Sequence, residues 1–158
     1  MAIDALSVQR ERALGWSFAL PEIAPQLDLG RDVQLVPGPN GLDFARVSSI
    51  DALTQSLSVA LTTLLGSDLF NQSFGFDGVN AIAEESDPIL VRERVRVGVI
   101  KVLRADHRVR KIVDVNLAGD GRLEPPPSGS RVLDVRVVFE TITGEPVAVQ
   151  LGGANPNG

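Results

Sequence analysis

Between Leu53 and Leu117 two helical patterns are separated by an aromatic and glycine-rich loop, and the second runs directly into a strand. This order restricts the fold more than any other feature of the chain. Ile50, Leu53, Leu57, Leu61 and Leu64 recur at spacings of three and four, which lines one face of a helix with apolar side chains. Ser48 stands where an N-cap belongs, with Asp51 three residues on, and Thr62, Thr63 and Gly66 weaken and end the run. This stripe reads as core. Phe70, Phe74 and Phe76 then crowd a loop of Asn, Gln, Ser and Gly, in which Gly75 is expected in a backbone conformation other residues avoid. Val79, Ile82 and Ala83 suggest one further helical turn.

The second run opens on Asp87-Pro88, a capping acid followed by a proline suited to the first turn. Val91, Val95, Val97 and Val99 alternate as in a strand, and β-branched residues favour sheet. Val91, Val95, Val99 and Val102 also keep helical spacing, and the cap and the length favour helix as far as Leu103. Val109 to Leu117 is the strand that follows. Gly119-Asp120-Gly121 then marks a turn, and residues 124–129 an exposed proline-rich loop. Val132 to Ile142 is predicted as a strand with Val135, Val137 and Phe139 on one face. A turn at Thr143-Gly144-Glu145 leads to a last strand through Val147, Val149 and Leu151.

Upstream, Met1 to Leu14 suits a short helix, and Gly15 to Pro21 breaks it, with Pro25 and Gly30 keeping the chain irregular. The only tryptophan, Trp16, sits here beside Phe18. The pair either ties an arm to its own core or anchors another subunit, where tryptophan is favoured. Val33–Val36 and Leu42–Val47 suit a small hairpin about the turn-rich Pro37–Gly41. The expected organisation is therefore an N-terminal arm over 1–30, a single α+β domain over 31–151 and a mobile tail over 152–158. In that domain a small mixed or antiparallel sheet carries two main helices on one face.

Chemistry is narrowed by what the chain lacks. With no cysteine and one histidine, neither disulfides nor thiolate or multi-histidine metal sites can form. Neither a metal nor a cofactor is expected. There is no signal-like N-terminus, and no apolar run approaches the ~20 residues that span a bilayer. A cytosolic protein is expected. Glycoside hydrolysis needs two carboxyl groups flanking a cleft. The acids here are scattered, and Glu84-Glu85 falls on a connector, so no catalytic residue and no enzymatic activity are expected.

Net charge is −5, unevenly spread. From Arg92 to Lys111 eight basic residues face only Glu93 and Asp106, giving this segment about +6 and leaving about −11 for the remainder. Such a stripe suits an acidic protein partner. It suits nucleic acid less, because the acidic remainder repels phosphate and no aromatic side chains stand near the stripe for base stacking. On the bland reading the same arginines form a solvated helix surface.

Several stretches together resemble the small baseplate wedge proteins of contractile phage tails and their relatives in type VI secretion baseplates and phage-like extracellular injection particles. Gly15-Trp16-Ser17-Phe18 is similar to that family's glycine–aromatic opening, Gln55–Gly66 to its Leu-x-Thr-x-x-Gly helix end, and Ser73-Phe74-Gly75 to its aromatic–glycine loop. Asp106-His107-Arg108 stands where the family usually has Glu-Pro-Arg, before a valine-rich strand. Two departures are visible: Gly66-Ser67-Asp68 replaces a frequent Gly-Glu-Arg, and His107 replaces the proline. The resemblance spans about Gly15 to Leu151.

What it implies is a structural subunit, present in six copies around the tail tube. It would be assembled in the cytoplasm and held in the baseplate against larger wedge proteins, with the inner tube or spike hub near. Asp106, His107, Arg108, Phe74, Gly75, Trp16 and Phe18 would then form the wedge interface. Within it Arg108 would make an interface ion pair, with Asp106 orienting it from inside the chain. The strands bearing Val135, Val137, Phe139, Val147, Val149 and Leu151 would offer an edge to an extended strand of the contractile sheath protein. The alternative is a stand-alone binding module acting through the stripe over 92–111.

Overall fold

The helical period that opens at Ile50 folds as a helix as far as Thr62, the capped run from Asp87 folds as a second, and the strands gather into small antiparallel sheets. The computed structural model describes residues 5–21, 31–78, 84, 87–117 and 135–151. In chain order the elements are α1 (Ala5–Leu14), β1 (Trp16–Phe18), β2 (Leu35–Gly38), β3 (Gly41–Phe44), β4 (Arg46–Ser48), α2 (Ser49–Thr62), α3 (Pro88–Ala105), β5 (Val109–Leu117), β6 (Val135–Thr141) and β7 (Pro146–Leu151). The fold is α+β. Its strands are shared among three separate sheets ordered β1-β4, β2-β3 and β5-β6-β7. By its contacts the chain divides into two compact units, one ending at Gln55 and the other beginning at Ser56. The expected helical turn at Val79–Ala83, the turn at 119–121, the loop over 124–129 and the tail over 152–158 lie outside the described residues.

In the first unit, Trp16–Phe18 is a strand and not the irregular break its composition suggests. It pairs antiparallel with β4, Trp16 opposite Ser48 and Phe18 opposite Arg46. A three-residue ladder closed across about thirty residues leaves no local signal, and the neighbouring glycine and prolines favour an irregular chain instead. The expected 42–47 strand divides at Ala45. The Ala45 N–H donates to the Gln34 carbonyl and its own carbonyl accepts from the Ala19 N–H, at 2.9 and 2.8 Å. β2 and β3 form the expected hairpin, Leu35 opposite Phe44 and Pro37 opposite Leu42. The Gln55 amide accepts from the Leu20 N–H at 2.8 Å and donates to the Phe18 carbonyl at 2.8 Å. Those bonds satisfy backbone groups that leave β1 with no further strand partner. Leu14, Ala19, Ala52 and Leu53 are buried here.

In the second unit the buried side chains are Leu57, Ala60 and Leu61 of α2, Val95, Val99 and Leu103 of α3, and Leu117, Val135, Val137, Phe139, Val147 and Val149 of the sheet. On α3 they fall at steps of four, so helical spacing prevails over the strand-like alternation. Asp87 supplies the cap by accepting from the Ile89 N–H at 2.8 Å, which offsets the weak helix propensity of so many valines. Ile112, Phe139 and Val147 align across the sheet, as do Val115, Val137 and Val149. Phe139, fully buried on the central strand, contributes on the order of 1.5–3 kcal/mol by its burial alone. Leu64, placed by its spacing on the α2 stripe, lies past the helix end and is exposed. Thr62 and Thr63 turn their hydroxyls back onto the Ser58 and Val59 carbonyls, at 2.9 and 2.7 Å, as the helix finishes.

Candidate interaction surfaces

Asp106 and Arg108 are brought together at the end of α3. Asp106 is the C-cap residue, its N–H donating to the Leu103 carbonyl. Its Oδ1 accepts from the Arg108 backbone N–H at 3.0 Å and from Nε at 2.9 Å, and its Oδ2 accepts from Nη2 at 2.6 Å. Arg108 Nη2 also donates to the Ser56 hydroxyl of α2 at 3.0 Å. The two side chains are only 14% and 18% exposed. Burial pushes the Asp106 carboxyl up, but the hydrogen bonds and charge of Arg108, with the charge of His107, outweigh it and hold the pKa below the ordinary value. The pair is an internal brace, while His107 between them is exposed.

Phe74 and Gly75 belong to a loop folded against the end of α2. Leu64 and Phe76 form a parallel bridge, the Phe76 N–H donating to the Thr63 carbonyl at 2.8 Å and the Leu65 N–H to the Phe76 carbonyl at 3.1 Å. Gly75 has φ 110°, and a Cβ there would stand 2.7 Å from the Thr63 oxygen. The glycine is therefore required by the backbone's close approach. Phe74 is half-buried. The Phe76 ring lies against Gly98 of α3, where a Cβ would come within 2.8 Å of its Cε2. Phe76, Gly98 and Ser56 thus have positioning roles that no spacing in the sequence announces.

Trp16 and Phe18 present exposed aromatic surface in the first unit, together with Phe44. They meet edge to face with ring centroids 5.8 Å apart, and Phe18 packs on Phe44 at 5.2 Å. Arg46 lays its guanidinium carbon 4.0 Å above the Trp16 ring and reaches Glu11 at 3.7 Å. All three rings are about half exposed. Of the two readings of Trp16 and Phe18, the tie to their own core is made by the β1–β4 ladder and Gln55, and the rings remain available outside. Phe44 and Arg46 are the partners that the sequence did not single out. Their only signal is a cross-strand register that becomes visible once β1 is recognised.

The strands expected to dock a partner differ in what they can do. β6 is the central strand, hydrogen-bonded on both sides, and Val135, Val137 and Phe139 are buried. Those three are core, because a strand with two neighbours has no edge to offer. β7, with Val147, Val149 and Leu151, is paired on one side only among the described residues. So is β5, but its register with β6 shifts between Val109 and Lys111 and again between Ile112 and Asp114, irregularities that discourage edge pairing.

The basic stripe is extensively paired within the chain. Arg94 meets Glu84 at 3.1 Å, Arg110 meets Glu140 at 3.1 Å, Arg96 pairs with Glu93, and Arg108 with Asp106. At least four of the eight cations thus face a carboxylate among the described residues, which lowers the field the stripe can project. Among the described residues no group of three or more His, Asp or Glu side chains is placed to hold a metal ion, and no helix is long and apolar enough to cross a membrane. No protein-family model matches this chain, and no curated protein matches it.

Proposed function

We propose that this chain is a structural wedge subunit of a contractile tail or injection-system baseplate, acting through surfaces shared with other proteins. The observation that carries the reading is the Trp16–Phe18–Phe44 cluster. Three large rings are held in a row by short strands, Phe18 touching both Trp16 and Phe44, and are left about half exposed, with Arg46 stacked on Trp16. Rigid aromatic and arginine side chains of this kind form the centres of protein interfaces. The order of motifs from Gly15 to Leu151 supplies the partner class: larger wedge proteins around a tube or spike hub, in six copies. The outer edge of β7 is the place where an extended strand of a sheath protein would add, by main-chain hydrogen bonds in the register of its alternating side chains. Assembly would take place in the cytoplasm, with the subunit then retained in the baseplate. The pairing of Arg94, Arg96, Arg108 and Arg110 with carboxylates weakens the alternative of a stand-alone module binding acidic ligands or nucleic acid.

The test is affinity capture of the tagged chain from the cell that produces it, followed by mass spectrometry and negative-stain microscopy of the captured material. Recovery with large wedge proteins and a sheath protein in ring or tail-tip particles is expected. Recovery alone from cells that assemble tails, with tail tips lacking the chain, overturns the proposal.

A further inference from the structure

We infer that the outward face of α3 docks an acidic amphipathic helix of another protein. Leu90, Arg94, Val97, Lys101 and Arg104 are all exposed and follow one another at steps of four, three, four and three. A mean step of about 3.5 keeps them in one seam, about 21 Å long. Leu90 and Val97 are about half exposed, while Val95, Val99 and Leu103 on the opposite face are buried. The two apolar side chains of the seam are thus left over after the core is filled. A second helix crossing at a shallow angle repeats its side chains in the same way and can follow such a seam. An extended strand, repeating every second residue, falls out of step with it.

Charge on the seam selects the partner. Arg94 is engaged by Glu84, and Glu93, at the seam's margin, by Arg96. Lys101 and Arg104 meet no carboxylate among the described residues. A helix with Leu, Ile or Val against Leu90 and Val97, and Asp or Glu against Lys101 and Arg104, complements both halves of the seam. A second copy of this chain does not. Parallel pairing would set Arg94, Lys101 and Arg104 each against itself, and antiparallel pairing would set Arg94 against Lys101. A lipid surface takes an apolar face bordered by cations, whereas here the cations lie within the face. Duplex nucleic acid would meet a net charge of −5 and gain nothing from Leu90 and Val97. The seam shares no residue with the aromatic cluster or the β7 edge, and the inference does not depend on the wedge reading.

Lys101 and Lys111 are the only lysines of the chain, so zero-length carbodiimide crosslinking reads the seam almost site by site. The full chain is crosslinked in the cell extract in which it is produced, and the products are mapped by mass spectrometry. Lys101 should join an Asp or Glu of another protein, within a segment whose apolar residues recur at spacings of three and four. That segment is then made as a peptide and titrated against the full chain. Lys101→Glu and Arg104→Glu should each weaken binding by roughly tenfold or more. Replacing the crosslinked acid of the peptide by lysine should restore binding to Lys101→Glu and not to wild type. Far-UV circular dichroism checks that each variant keeps its fold. Lys101 crosslinks that are absent or confined to copies of this chain, a mapped segment without helical spacing, or affinities unmoved by charge reversal overturn the inference. So does binding of duplex DNA that Lys101→Glu abolishes. An acidic helix from a protein of no tail particle would leave the inference standing and count against the wedge reading. Tail-tip particles in which Lys101 stays uncrosslinked would do the reverse.

Discussion

The Arg108 guanidinium donates to the Ser56 hydroxyl at 3.0 Å across fifty-two residues of sequence, joining the turn after α3 to the second half of α2. Asp106 holds the other side of the same guanidinium. Arginine's planar fork can serve a carboxylate and a hydroxyl together, which a lysine ammonium on a flexible stem does less well. Arg108→Ala would leave a largely buried Asp106 carboxylate without its charged donors and Ser56 without its partner. A loss of about 2–3 kcal/mol in urea unfolding is expected, with Arg108→Lys recovering part of it. A loss below about 0.5 kcal/mol would mean that the brace contributes no more than an ordinary surface pair.

The same brace sets a pH dependence. The Asp106 carboxyl has a lower pKa in the folded chain than in the unfolded one. Its contribution is therefore fully present above the ordinary aspartate value of 3.8 and is lost as pH falls through the lower folded value. Asp106→Asn removes this group from the titration. The stability difference between wild type and variant should be largest at neutral pH and shrink on the acid side of 3.8. Urea midpoints measured across that range give the answer, and a difference that stays constant with pH would assign the acid response to other carboxyls.

Gly98 reverses the usual effect of a helical glycine. In an exposed helix interior Gly→Ala stabilises by roughly 1 kcal/mol. Here the new Cβ would stand 2.8 Å from Phe76 Cε2, and the ring is hemmed in on another side by Gly78. Gly98→Ala should therefore destabilise by about 1–2 kcal/mol, and adding Phe76→Leu should recover most of that. A more stable Gly98→Ala protein would mean that the ring can move away freely.

What the sequence revealed and concealed follows from the range of each interaction. The 87–103 helix could be read because its start signals are local: Asp87 bonds to Ile89, two residues on, and Pro88 fits the first turn. Gly75 could be read as a special backbone position for the same reason. β1 could not, since its three residues are a strand only by pairing with Arg46–Ser48. The 132–142 pattern gave the correct buried face, Val135, Val137 and Phe139, but alternation is the same in a central and an edge strand, so it could not say that β6 has no edge to share. The Asp106-His107-Arg108 tripeptide was legible as a feature, and so was the orientation of Arg108 by Asp106. Ser56, which turns the pair into a brace, is an ordinary serine on a helix, and only the fold brings it to the guanidinium.

Trp16 allows the interface reading to be separated from a role in folding. Its ring touches Phe18 at its edge and receives Arg46 on its face, yet about half of it faces solvent. A half-exposed cation–π contact contributes about 0.5–1 kcal/mol, so Trp16→Ser should lower the stability of the isolated chain by about 1 kcal/mol. Leu53→Ala, at a fully buried position of α2, should cost about 2–5 kcal/mol by comparison. If the ring is an interface centre, Trp16→Ser should weaken capture of the partner proteins by thirtyfold or more, on the order of 2 kcal/mol, while leaving the far-UV spectrum unchanged. Phe44→Ser should act in the same direction, because Phe44 packs on Phe18 with ring centroids 5.2 Å apart. A Trp16→Ser chain that unfolds as readily as Leu53→Ala would place the ring in the core. One that is stable and captures its partners undiminished would remove the aromatic cluster from the interface.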